Sequence, residues 1–114
     1  MFMKKDQSLQ IPFPVAEALV SIGAAVRTAR ARRRQSAKDL ADRMDVSLPT
    51  LRRLERGDSG VSIGAFATAL WALGMLSPLC DAIAPENDRE AAELETARLP
   101  QRIRRRRETE LDNL

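Results

Sequence analysis

Residues 36–57, SAKDLADRMDVSLPTLRRLERG, constrain the fold more than any other stretch, because they specify two short helices, the corner between them and the stop of the second. Ser36 is placed to cap the free N–H groups of the first helix, and Asp39, three residues on, completes a capping box. Ala37, Leu40, Ala41 and Met44 recur at helical intervals and form its apolar side, leaving Lys38, Asp39, Asp42 and Arg43 in water. Asp45 stands where the chain reverses, and aspartate tolerates the left-handed conformation such a corner needs. Val46 plugs the corner and Ser47 caps the second helix. Pro49 is accepted in that helix's first turn, where backbone donors have no intrahelical partner. Leu51 and Leu54 face inward. Leu48, Pro49, Thr50, Arg52, Arg53 and Arg56 are left on the outer side until Gly57 stops the helix.

The flanks supply what two short helices need in order to bury anything. Residues 1–13 show no sustained period and are expected to be a flexible arm. Pro14 opens a helix with Val15, Leu19, Ile22 and Val26 on its apolar face, ending in Arg27, Arg30, Arg32, Arg33 and Arg34. Those arginines either solvate and cap the helix end or hold phosphates. After a loop from Gly57 to Val61, Ser62 caps a helix whose Ile63, Phe66, Ala67, Leu70 and Leu73 are expected in the core, with Trp71 beside them. Gly74 stops it. Ser77-Pro78 starts a last short helix, too apolar to sit alone in water, so Leu76, Leu79, Cys80 and Ile83 are expected to form an interface.

Residues 14–84 thus read as one all-α domain, and residues 85–114 as a charged flexible tail. Within that tail Leu99, Arg102, Ile103, Arg104, Arg105, Arg106 and Arg107 could serve phosphates, an acidic partner or solvent alone, and the three stay open.

Composition narrows the chemistry. Tyrosine is absent and Trp71 is the one tryptophan, while alanine and leucine favour helices over sheets. The formal charge is +3, concentrated at the front, where residues 1–34 carry seven basic groups against two acidic ones. Such a balance suits a polyanion, whether DNA, RNA or an anionic membrane surface. With no histidine and Cys80 alone, neither a zinc finger nor a histidine-based triad can be built. No paired acid and base and no glycine-rich phosphate loop stands out, so no catalytic residue, cofactor or metal is expected. The absence of a signal peptide or a spanning apolar run points to the cytoplasm, with no membrane partner.

Ser36, Leu40-Ala41, Val46-Ser47 and Glu55-Arg56-Gly57, in that order, resemble the lambda-repressor-type helix-turn-helix family, and the resemblance runs from about residue 15 to 83. It implies a five-helix DNA-binding domain, all-α, acting as a homodimer on double-stranded DNA. The operator is then an inverted repeat with half-site centres roughly 10 base pairs apart, or a multiple of that. It also implies an ion pair between Arg30 and Glu55 that sets the angle of two helices. On this reading Ser47, Arg34 and Arg56 hold phosphates, and Arg52 and Arg53 read guanine edges. Thr50 meets a base or a phosphate, Leu48 and Pro49 a thymine methyl, and Ser36 and Ala37 complete the DNA-facing set. Ala37 stands where the family usually has Gln, and Asp45 where it usually has Gly. The segment from Ala65 to Ala82 resembles HipB-like antitoxins, which repress their own operon and bind a HipA-like serine/threonine kinase toxin. A free-standing phage-type repressor or restriction-modification controller shares part of that pattern. A protein-interaction adaptor with an RNA-binding arginine-rich tail is the competing class.

Overall fold

Pro12 and Pro14 set where regular structure begins, since proline is pre-shaped for a helix's first turn and lacks the N–H that turn leaves unpaired. In the computed structural model, which describes residues 10–98, α1 runs from Phe13 to Arg32 with Pro12 at its N-cap, one residue ahead of the expected start. There follow α2 (Ala37–Met44), α3 (Leu48–Arg56), α4 (Ile63–Ala72), α5 (Leu76–Ala82), a 3-10 turn at Pro85–Asn87 and α6 (Arg89–Arg98). All regular structure among the described residues is helical, and no helix there is long and apolar enough to cross a membrane.

The chain divides into two compact units, one ending at Ser77 and one beginning at Pro78. In the first, α3 packs on both α1 and α2, and α2 on α4. Leu40 and Leu51 are fully buried, joined by Val26, Ala29, Ala41, Met44, Leu54, Ala69, Leu70, Ala72 and Leu73. The buried stripe of α1 is Gly23, Val26 and Ala29, not the expected row from Val15 to Val26; Val15 and Ile22 are exposed. The reason is proximity. A Cβ on Gly23 would lie 2.6 Å from the carbonyl oxygens of Leu54 and Glu55, so α3 approaches where α1 is smallest. In α4 the expected core residues Ile63 and Trp71 are also exposed, at 84% and 62%. That helix is apolar nearly all round, so its period could not select a face, and its buried residues all fall in the second half.

The second unit adds a helix to the five expected. α6 is a sixth, in the stretch read as flexible tail. Asp88 caps it, its Oδ1 accepting the Ala91 N–H at 3.0 Å. Its Ala, Glu, Leu and Arg residues are strong helix formers, and none of them is buried. Local propensity therefore outweighed the charge bias that suggested disorder.

Candidate nucleic-acid interface

The corner between α2 and α3 is built by side chains gripping backbone. Ser36 Oγ accepts the Asp39 N–H at 3.0 Å, and Asp39 Oδ2 accepts the Ser36 N–H at 3.3 Å. Asp45 ends α2 with φ +58° and Gly57 ends α3 with φ +83°. Ser47 Oγ accepts the Thr50 N–H at 3.2 Å, and the two hydroxyls share a hydrogen bond of 2.9 Å. One of those two hydroxyl protons satisfies the pair, leaving the other free to meet an acceptor outside the protein.

With Leu51 and Leu54 buried, a helical step of about 100° per residue puts Pro49, Arg52, Arg53 and Arg56 on the opposite side of α3. Pro49, Arg52 and Arg56 are exposed, whereas Leu48 and Thr50 on the flanks are half-buried. The two central arginines lean apart. Arg52 lines a shallow cleft of about 200 Å³ with Arg27, Arg30, Ala37, Glu55 and Arg56. Arg53 turns to the loop after α3, where its Nε donates to Asp58 Oδ2 at 3.1 Å and its side chain stays 42% exposed. An ion pair this open contributes no more than about 1 kcal/mol.

At the floor of the cleft lies the expected pair. Arg30 Nε and Nη2 donate to Glu55 Oε2 and Oε1 at 2.7 and 3.0 Å, and Arg30 Nη1 donates to the Gln35 carbonyl at 3.0 Å. The hydrogen bond to Glu55 raises the guanidinium's pKa above its ordinary value, against the opposing effect of partial burial. Since Arg30 and Glu55 neutralise each other, the cleft's positive potential comes from Arg27, Arg52 and Arg56.

Asp58 titrates below the ordinary aspartate range, first because it accepts the Gly60 N–H and then because Arg53 donates to it. A lowered carboxyl pKa means that the hold on Arg53 is complete above the unfolded value and is lost as pH falls through the folded one. A carboxyl-carbon NMR titration is expected to place the Asp58 midpoint below that of an unpaired aspartate; a midpoint at or above it refutes the contact.

The remaining expected site residues are placed as follows. Arg34 is exposed, with φ +56°, in the link between α1 and α2. Leu76 and Leu79 are half-buried, Cys80 is exposed, and Ile83 is 77% exposed. Leu99, Arg102, Ile103, Arg104, Arg105, Arg106 and Arg107 lie outside the described residues. Two residues outside the expected DNA-facing set also contribute. Arg27 shares a helix face with Arg30, three positions on, a spacing that was visible. Asp58 read only as part of a turn.

The family model of the helix-turn-helix domain matches residues 21–82, more than half of the chain. Neither a curated protein nor a solved structure matches.

Proposed function

Because the chain belongs to the helix-turn-helix domain family, we propose that it is a sequence-specific DNA-binding transcriptional repressor that lays α3 in the major groove. One observation carries this reading. The outward face of α3 bears three guanidinium groups, while its inward face is locked into the core and its one acid, Glu55, is consumed by Arg30. Guanidinium groups suit both tasks at such an interface, bonding twice to a guanine edge or neutralising a phosphate.

The divergence of the two central arginines divides those tasks. Arg52, grouped with Arg27 and Arg56 around the cleft, holds backbone phosphate together with Ser47 and Arg34. Arg53 reads a base. In this reading α5, with Cys80 and Ile83 exposed, joins two copies over an inverted repeat. Access to the operator places the protein in the cytoplasm. Its further role as a HipB-like antitoxin, partnered by a HipA-like kinase, is supported by the resemblance over Ala65 to Ala82.

The test is a gel shift against the region upstream of its own gene. A matched operator is expected to be retained and a scrambled one released. Arg53→Ala is expected to weaken the matched complex roughly tenfold more than the random one, the size of a lost bidentate base contact. Arg52→Ala is expected to weaken both alike and to reduce the log-log salt slope by about 0.9 for each phosphate released. Equal losses for Arg53→Ala on both duplexes would make it another phosphate contact. For the antitoxin role, a kinase encoded beside the gene is expected to co-purify with the chain; neighbours that encode none would make it a free-standing regulator.

A further inference from the structure

Asp58 comes directly after the glycine that stops α3, and it is pinned on three sides. Its N–H donates to the Arg53 carbonyl at 3.0 Å, its Oδ1 accepts the Gly60 N–H at 2.7 Å, and its Oδ2 accepts from Arg53 Nε at 3.1 Å. Both carboxylate oxygens are in use, one securing the turn and the other the guanidinium. A Cβ on Gly60 would lie 3.2 Å from Arg53 Nη2 and 3.2 Å from Asp58 Oδ1, so the bare backbone of residue 60 forms a wall beside the arginine head.

An arginine free in solvent samples many rotamers, yet reading a guanine requires two parallel N–H groups at one fixed angle. Fixing Nε to Asp58 leaves the terminal Nη1 and Nη2 end of the fork to face a ligand with two acceptors. Resting on the DNA-reading function proposed above, we infer that Asp58 is a specificity-determining positioning residue that presents the terminal N–H groups of Arg53 to a guanine edge. The loop after α3 thereby becomes part of the reading head. The same carboxylate repels phosphate, which disfavours the alternative of Arg53 settling on the backbone. So exposed a pair adds little to folding, and its effect is on discrimination between sequences.

Asp58→Asn separates these roles. The amide oxygen still accepts from Gly60, whereas the amide nitrogen offers only donors to Arg53 Nε. The full chain and the variant are each used to select from duplexes randomised over two half-sites, and binding is then measured on the selected site and its single-base replacements. For Asp58→Asn, discrimination at one guanine is expected to fall about threefold to fivefold, less than Arg53→Ala costs, with the salt slope and melting temperature unchanged. In an Arg53→Ala background the same substitution is expected to change nothing further at that position. Gly60→Ala, which crowds the guanidinium without removing a charged group, is expected to weaken discrimination at that same guanine. Intact discrimination in Asp58→Asn overturns the inference and leaves the repressor function standing, as does a uniform loss on all sequences. Failure of the parent chain to enrich any motif overturns the DNA-reading function and this inference together.

Discussion

Gly57→Ala is expected to lower the unfolding free energy by about 3 kcal/mol, from two causes that add. The residue is left-handed, with φ +83°, a conformation that costs an L-residue roughly 1–2 kcal/mol. A Cβ there would also lie 2.6 Å from the Leu19 carbonyl oxygen and 2.7 Å from the Val20 Cα. These are backbone atoms of α1 and cannot rotate aside, so overpacking adds about 1–3 kcal/mol. Urea unfolding followed by circular dichroism measures the total, which corresponds to roughly 10–20 °C in melting temperature for a domain of this size.

Asparagine separates the two causes, because it tolerates the left-handed region but carries the same Cβ. Gly57→Asn is therefore expected to recover little. Wild-type stability in that variant would reduce the role of Gly57 to its backbone angle. The other side of the crossing gives a sign instead of a size. Alanine in a helix interior is usually about 1 kcal/mol better than glycine. Gly23→Ala is nonetheless expected to destabilise, since its Cβ meets two α3 carbonyls at 2.6 Å. A more stable variant would mean that α1 and α3 can part without loss.

These two glycines show where the sequence is silent. The α2 corner and α3 were legible because caps, the left-handed Asp45 and Gly57, and the Leu51/Leu54 spacing are local chemistry, readable within a few residues. Gly23 has no such local signature, and nothing in its neighbourhood says that another helix's backbone will touch it. The apolar rows of α1 and α4 misled for a related reason: a helix that is apolar on several sides buries whichever side its partner reaches. Thus Val15, Ile22, Ile63 and Trp71 are exposed while Gly23 and Ala29 are covered. At the site, Arg52 and Arg53 were recognised as outward-facing, but their divergence depends on what flanks each one. Arg27 reaches Arg52 only because α1 packs on α3, and Asp58, though five residues from Arg53, meets it only because the loop after α3 turns back. α6 lies in a charge-rich stretch without a core to join, where hydropathy points to disorder and only the helix formers point to order.

Arg30→Ala is expected to cost about 3 kcal/mol, the lower end of what breaking a buried pair costs. The Glu55 side chain is only 9% exposed, and the substitution removes both of its hydrogen bonds along with the one to the Gln35 carbonyl. Most of the loss is the stranding of that carboxylate, so removing it as well is expected to restore stability. Arg30→Met combined with Glu55→Leu should unfold near the wild-type urea midpoint, because a well-packed apolar pair often replaces an ionic one at no net loss. Arg30→Lys keeps the charge but cannot form the two-pronged contact, and should fall between wild type and Arg30→Ala. The pH dependence follows from the raised guanidinium pKa. Its contribution is complete below the unfolded arginine value and is lost only as pH rises through the still higher folded one, so the Arg30→Ala deficit should persist undiminished from neutrality to the alkaline limit of the measurement. A deficit that fades at alkaline pH, or a double variant as unstable as Arg30→Ala alone, would mean that something other than this ion pair fixes α1 against α3.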